Sequence, residues 1–122
     1  MSKSILIIDD EEDVKAIAQM GLEMAANWNV ITASSGQEGL TIAQSQQPEV
    51  ILLDLMMPGW DGKETLKQLK ANPKTAKIPV ILMTAKTESA IASDIKALDI
   101  IGVITKPFRP LQLPEKISQI LQ

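Results

Sequence analysis

Five short apolar runs recur along the chain, and each is followed by a more polar segment. Most of the runs are continuously apolar rather than alternating, which is typical of strands that are covered on both faces of a sheet. We therefore predict strands at about residues 5–8, 29–33, 50–54, 80–84 and 102–105.

The segments after these runs repeat apolar residues at the spacing of a helix face. In the first segment, Val14, Ile17, Ala18 and Gly21 follow positions i, i+3, i+4 and i+7. The spacing predicts helices at about residues 12–27, 35–46, 63–71, 89–98 and 111–121.

Two helix ends are marked by particular residues. Ser34 or Ser35 can cap the second helix, because both have side chains that accept hydrogen bonds from free backbone N–H groups. Pro114 lies near the start of the last helix and is tolerable there only in the first turn.

Strand and helix alternate five times, which calls for right-handed crossovers and a parallel sheet with helices on both faces. A chain of 122 residues fits one domain, and no linker, repeat or low-complexity tract divides it. We therefore expect a single α/β domain over residues 1–122.

Composition limits the kinds of metal site and binding partner that the chain can have. The chain has no cysteine and no histidine, which excludes disulfides and the usual zinc ligands, so any metal must be held by oxygen atoms. The net charge of −3 favours neither nucleic acid nor an anionic membrane as a partner. The apolar runs are too short to span a bilayer, and the N-terminus lacks a signal-peptide pattern. We expect a cytoplasmic protein.

Polar residues end four of the five predicted strands. Asp9 and Asp10 follow the first strand, Asp54 ends the third, Thr84 ends the fourth, and Lys106 follows the fifth. Ligands bind at the carboxyl ends of parallel strands, so these groups are expected to converge. Clustered carboxylates repel one another unless a cation lies among them, and oxygen-only ligands suit Mg²⁺.

Each of these residues also has an ordinary interpretation. Asp9 and Asp10 could simply favour a helix start, Thr84 could be a turn residue, and Lys106 could be a solvated lysine. Asp54 is harder to dismiss, because it ends an apolar strand. Glycine-rich nucleotide motifs are absent, and a two-aspartate phosphatase loop would need an acid at position 56, where Met56 stands.

An ordered set of motifs connects these positions. They are Asp9-Asp10, the block Asp54-Leu55-Met56-Met57-Pro58-Gly59-Trp60-Asp61-Gly62, Thr84-Ala85 and Lys106-Pro107-Phe108. In this order and spacing, the chain resembles the receiver domain of two-component response regulators over essentially its whole length. The resemblance implies a flavodoxin-like, doubly wound (βα)5 three-layer sandwich with strand order 2-1-3-4-5.

The resemblance also implies roles. Asp54 would accept a phosphoryl group from a sensor histidine kinase, a histidine phosphotransfer protein or a small phosphodonor. Asp10, Asp54 and the backbone carbonyl of Met56 would hold Mg²⁺, or Mn²⁺ in its place, with Asp9 assisting through the metal's water shell.

In this resemblance Thr84 and Lys106 would each contact a phosphoryl oxygen, and the bond before Pro107 would be cis. The charge gained on phosphorylation would alter the face formed by residues 89–98, the last strand and the last helix, for binding of a downstream protein.

Three positions depart from the common pattern. Val103 stands where receivers often place a switching Tyr or Phe, so we expect the output face to change through backbone more than through a side-chain flip. Met56 and Lys86 occupy the two positions that tune phosphoryl lifetime. Neither positions an attacking water well, which predicts a long-lived phosphoryl group.

Other interpretations remain open. The chain could be a degenerate receiver that binds proteins without phosphorylation, although the full acidic set argues against it. A small metal-dependent phosphatase is disfavoured by Met56. We expect a domain that catalyses only its own phosphoryl transfer and dephosphorylation, as a monomer or a weak phosphorylation-dependent dimer, either independent or part of a larger protein.

Overall fold

The computed structural model describes residues 3–85 and 99–121. Five parallel strands form one sheet in the order β2-β1-β3-β4-β5, which confirms the predicted fold class and strand order. The strands are β1 (Ser4–Ile8), β2 (Asn29–Ala33), β3 (Val50–Asp54), β4 (Val80–Thr84) and β5 (Gly102–Thr105).

Helices lie between and after the strands. The described α-helices are α1 (Glu12–Ala26), α2 (Gly36–Gln46), α3 (Gly62–Ala71) and α4 (Leu113–Leu121), and a 3₁₀ turn covers Pro110–Gln112. The helix expected at residues 89–98 lies outside the described residues, as does Lys86.

Local chemistry places several helix ends. Ser35, rather than Ser34, caps α2, because its Oγ accepts a hydrogen bond of 3.1 Å from the N–H of Glu38. Helix α1 ends at Ala26, and Asn27 takes the left-handed conformation (φ 56°). The last α-helix begins at Leu113 rather than 111, which leaves Pro114 in the first turn, where its missing N–H breaks no helical hydrogen bond.

Apolar side chains of the strands alternate between two core clusters, one on each face of the sheet. In β1, Leu6 and Ile8 enter one cluster, while Ile5 and Ile7 enter the other. All four are fully buried. The sheet is therefore a rigid platform whose polar strand ends project beyond the core.

The inner face of α1 matches the predicted stripe at Ala18 and Gly21 but not at Ile17. Ile17 was expected on the buried stripe but is 45% exposed, whereas Lys15 is buried with Ala18 and Leu22. The buried side of α1 therefore includes Lys15 and leaves Ile17 at its margin. The apolar spacing thus predicted part of the buried side and gave no signal for Lys15.

Gly21 brings α1 against the segment after β5. A Cβ at this position would lie 2.2 Å from the carbonyl oxygen of Pro110, which is a backbone atom that cannot yield cheaply. The absence of a side chain therefore permits this close approach, and it fixes the turn that follows Lys106 and Pro107. The peptide bond between those two residues is cis.

Within the described ranges, none of the helices combines the length and apolar character that a membrane span requires.

Candidate functional site

The candidate site lies where β1, β3 and β5 end. Asp9 directly follows β1, Asp54 is the last residue of β3, and Lys106 directly follows β5. Lys106 reaches from the edge of the sheet toward its centre: its Nζ lies 2.9 Å from Asp9 Oδ2 and 3.3 Å from Asp54 Oδ1. The structure thus brings together three of the residues that the strand ends predicted.

Both aspartates are almost inaccessible. Asp9 is fully buried, and Asp54 is 3% exposed. Each carboxylate also accepts a backbone hydrogen bond, Asp9 Oδ1 from the N–H of Glu11 at 2.9 Å and Asp54 Oδ1 from the N–H of Met56 at 3.3 Å. These bonds fix the orientation of the two side chains, so the acidic cluster is held in place by the chain itself.

Burial and charge set the acidity of Asp54. Burial, together with the nearby carboxylate of Asp9, raises the pKa of Asp54 to about 6, although Lys106 and the N–H of Met56 act in the opposite direction. Burial lowers the pKa of Lys106, but the two carboxylates outweigh it and leave that pKa raised. Lys106 is therefore a cation that partly offsets an excess of buried negative charge.

A third carboxylate joins the two aspartates. Ligand oxygens of Asp9, Glu11 and Asp54 lie within 4.8 Å of one another. This all-oxygen set has the chemistry that Mg²⁺ prefers, and its charge exceeds that of the Lys106 ammonium beside it. The residues present therefore fit a divalent cation.

The predicted acidic residues do not all join this group. Asp10 is exposed and does not belong to the three-carboxylate group, whereas Glu11, which was not predicted as a ligand, does. The only sequence signal for Glu11 was its place in the acidic run from Asp9 to Asp13. Which member of that run turns toward Asp54 is decided by the turn after β1, including the bond from Glu11 N–H to Asp9.

Thr84 lies at the end of β4 and is fully buried. Its carbonyl oxygen accepts a hydrogen bond of 2.8 Å from the backbone N–H of Lys106. The segments after β4 and β5 are therefore joined next to the acidic cluster, and a displacement of Lys106 backbone would act directly on Thr84.

The loop between β3 and α3 closes tightly on the end of β3. The N–H of Gly62 donates to the carbonyl of Leu55 at 2.9 Å, and a Cβ at Gly62 would lie 2.7 Å from the carbonyl oxygen of Asp54. Asp61 caps α3 by accepting a hydrogen bond of 2.9 Å from the N–H of Glu64. These contacts fix the course of the loop that carries the Met56 carbonyl.

The remaining predicted positions lie around this centre. The Met56 side chain is 62% exposed in the loop after Asp54. Val103 is half-buried and packs against the core cluster that contains Leu82. Trp60 is half-buried, and its Cβ lies close to Gly36 at the start of α2.

Replacing Asp54 by Asn should stabilise the protein at neutral pH when divalent cations are chelated. Because the folded pKa of Asp54 lies above its unfolded value, the folded state holds more protons between these two values. The free energy of unfolding therefore falls as pH rises through that window, and the full cost is present above about pH 6. We expect Asp54→Asn to add roughly 1–3 kcal/mol at pH 7.5 in urea unfolding, with the gain vanishing below about pH 4.

Asp10→Asn is the matched control for this experiment, because it makes the same aspartate-to-asparagine change at an exposed position in the run from Asp9 to Asp13. It should change the free energy of unfolding by less than about 0.5 kcal/mol. A loss of stability in Asp54→Asn at pH 7.5, or a gain that is equal at every pH, would contradict the electrostatic account.

Known proteins resemble this chain in sequence and in fold. Residues 5–118 match the family of the response regulator receiver domain. The chain is 37% identical over 125 residues to the alkaline phosphatase synthesis transcriptional regulatory protein PhoP of Bacillus subtilis, covering 100% of this chain and 50% of that protein. It is 35% identical over 124 residues to the phosphate regulon transcriptional regulatory protein PhoB of Pseudomonas aeruginosa, covering 100% of this chain and 53% of that protein.

The chain thus spans about half the length of these curated relatives. Among solved structures, the chemotaxis protein CheY4 of Vibrio cholerae superposes with a TM-score of 0.89 at 27% identity, covering 98% of this chain and 99% of that one. The family match, the strand order and the acidic cluster beside Lys106 all support the same assignment. The chain belongs to the family of response regulator receiver domains.

Proposed function

We propose that this receiver domain is a phosphorylation switch in which Asp54 accepts a phosphoryl group from a histidine of a partner protein. That partner would be a sensor histidine kinase or a histidine phosphotransfer protein. One observation carries the proposal: Asp54 ends a buried strand, and the ammonium of Lys106 lies within 3.3 Å of both its carboxylate and that of Asp9. Such a centre is suited to receive a phosphoryl group rather than to stabilise the fold.

The transfer is a displacement at phosphorus. An oxygen of the ionised Asp54 carboxylate attacks, the new P–O bond forms as the P–N bond to the donor imidazole breaks, and the electron pair stays on the imidazole nitrogen. Lys106 favours the ionised, nucleophilic form of Asp54. Positioning and electrostatics supply the catalysis, as in phosphoryl transfer generally.

A divalent cation completes this centre in the proposal. Bound Mg²⁺, or Mn²⁺ in its place, would supply positive charge for the transferring phosphoryl oxygens. The three-carboxylate group of Asp9, Glu11 and Asp54 supports this assignment. We also keep Asp10, which is exposed beside that group, and the backbone carbonyl of Met56 as proposed ligands.

The switch would act through Lys106 and Thr84. In the described structure Lys106 is engaged by Asp9 and Asp54, and a phosphoryl group would offer it, and Thr84, new acceptor oxygens. Because the Lys106 N–H is bonded to the Thr84 carbonyl, the segments after β4 and β5 would respond together. The proposed output face comprises residues 89–98 with β5 and α4, and the small Val103 leaves backbone movement as the route to it.

The output would be binding of a downstream protein, with the domain in the cytoplasm and monomeric or weakly dimeric on phosphorylation. The curated relatives are named as transcriptional regulators, so control of transcription is one output that a protein containing this domain would serve. The domain itself would catalyse only the gain and loss of its own phosphoryl group.

Incubation with Mg²⁺ and acetyl phosphate should add one phosphoryl group to the wild-type protein, measured by intact mass. Asp54→Asn should add none, because it lacks the nucleophilic oxygen. Asp99→Asn is the matched control, since Asp99 is an exposed aspartate outside the acidic cluster, and it should be modified like the wild type.

Three results separate the competing functions in that experiment. Stable occupancy of Asp54 supports the switch. No occupancy, with acetyl phosphate or with beryllofluoride as a mimic, would identify a degenerate receiver that acts without phosphorylation. Continuous release of phosphate from added phosphomonoesters would identify a phosphatase.

A groove beside the acidic cluster is the proposed contact surface for the phosphodonor protein. It has a volume of about 360 Å³ and is lined by Glu11, Val14, Ile17, Ala85, Lys106, Pro107 and Phe108. A donor that delivers a phosphoryl group to the nearly buried Asp54 must contact the protein surface around the strand ends. This groove provides an apolar binding surface there.

Ile17→Ser should therefore slow transfer from a phosphorylated histidine protein by roughly tenfold, the effect of losing one apolar anchor. The rate with acetyl phosphate, which is too small to use the groove, should not change. Met24→Ser is the control, because Met24 is more exposed but lies two turns further along α1. Equal slowing by both variants, or none by Ile17→Ser, would place the donor elsewhere.

The aspartyl phosphate should be long-lived. Hydrolysis requires a water to attack phosphorus as the bond to Asp54 oxygen breaks, and the exposed Met56 thioether neither orients nor deprotonates that water. Met56→Asn, which introduces an amide, should accelerate decay by ~3- to 10-fold, measured by intact mass after removal of the phosphodonor. Met56→Leu should decay like the wild type, and wild-type decay within seconds would contradict the prediction.

A further inference from the structure

Lys15 is a buried lysine outside the acidic cluster. It lies in α1 and is only 4% exposed, so its side chain is largely removed from water. Its Nζ lies 2.7 Å from Glu12 Oε1 and also donates a hydrogen bond to Ser34 Oγ. Removing an ammonium from water is costly unless its partners are fixed, so this arrangement calls for a structural account.

The partners of Lys15 connect two helix starts. Ser34 Oγ donates to Glu12 Oε1 at 3.2 Å, so the lysine, the glutamate and the serine are mutually bonded. The backbone N–H of Ser34 donates to Glu38 Oε1 at 2.5 Å, in the first turn of α2. The start of α1 is thereby joined to the loop after β2 and to the start of α2.

This network holds one side of the loop that carries the acidic cluster. The other side is held at Asp9, whose backbone N–H donates to the carbonyl of Ala33 at 3.0 Å. Ala33 directly precedes Ser34, and Glu11 directly precedes Glu12. The turn from Asp9 to Glu12 is therefore attached to the end of β2 at both of its ends.

We propose that Lys15 is a positioning residue for the divalent-cation site: by joining Glu12 to Ser34, it holds the turn that places Glu11 beside Asp9 and Asp54. This inference rests on the proposed function, because it assumes that those carboxylates bind Mg²⁺. Lys15 itself would touch neither the ion nor the phosphoryl group.

The charge of Lys15 and its positioning role act on Mg²⁺ affinity in opposite directions. Removing a cation near an acidic site strengthens the attraction for a second cation, whereas releasing the turn weakens binding by scattering the ligands. The sign of the change in Lys15→Met therefore separates the two roles.

Isothermal titration with Mg²⁺ on the whole chain tests the proposal. We expect Lys15→Met to raise the Kd by ~5- to 10-fold, at the lower edge of effects seen for residues that support metal ligands. Ser34→Ala should raise the Kd in the same direction without changing any charge. Lys15→Arg, which keeps the cation and its donors, should bind within about twofold of the wild type.

Lys77→Met is the matched control, because it removes an exposed lysine just before β4, at the opposite end of the sheet from the site. Its Kd should stay within about twofold of the wild type. Urea unfolding shows whether each variant is folded at the titration temperature, and Ser34→Ala carries the test if Lys15→Met is not.

The outcomes distinguish the two proposals. A wild-type protein that binds no Mg²⁺ would overturn the proposed function itself. A wild-type protein that binds Mg²⁺ while folded Lys15→Met binds equally or more tightly would overturn the positioning role and leave the proposed function standing. Unchanged affinity in Ser34→Ala would likewise overturn it.

Discussion

The candidate site depends on one ammonium held between two buried carboxylates. Asp9 and Asp54 are nearly excluded from water, and like charges at such proximity disfavour each other's ionisation. Lys106 lies within 3.3 Å of both, and it keeps its own charge because they surround it. Among the described residues, the one ammonium of Lys106 cannot neutralise these two carboxylates and the adjacent Glu11, so this part of the cluster retains a negative excess. That excess is the electrostatic basis of the cation binding proposed above.

The parallel sheet creates this arrangement. The three residues are far apart in sequence, but each follows or ends a strand whose carboxyl end lies at the same edge. Strand order places β1 beside β3, so Asp9 and Asp54 become neighbours, while Lys106 must reach from the strand at the edge. The close approach of Gly21 to Pro110 secures the segment after Lys106 against α1. Packing on one face of the sheet thus helps to hold Lys106 in position beside Asp9 and Asp54.

Much of this could be predicted from the sequence, because the relevant signals are local. Continuous apolar runs mark buried strands, and a charged residue directly after such a run, as at Asp54 or Lys106, is placed by the strand itself. The structure confirms both the α/β fold class predicted from these runs and the strand order implied by the family resemblance. Local signals of this kind did not predict which way a side chain points from a turn or a helix.

Glu11 and Lys15 illustrate that limit. Glu11 stands in a run of five acidic residues, and only the turn after β1 decides which of them faces Asp54. Lys15 lies next to the apolar stripe of α1, where spacing favoured Ile17 as the buried residue. Which of the two is buried depends on how α1 packs on other parts of the chain, including the hydrogen bond from Lys15 to Ser34 in the loop after β2.

The contacts of Lys106 indicate how a change at Asp54 would affect the neighbouring segments. Lys106 is joined to the cluster by its side chain and to Thr84 by its backbone N–H, so it links the electrostatics of the site to the geometry of β4 and β5. A phosphoryl group would add roughly −1.5 to −2 charge and three acceptor oxygens where one ammonium already serves two carboxylates. A change in the Lys106 contacts would then act first on the backbone, since the small side chain of Val103 cannot swing between a buried and an exposed position as a separate switch. Phosphorylation of Asp54 would in this way change the positions of the segments that follow β4 and β5.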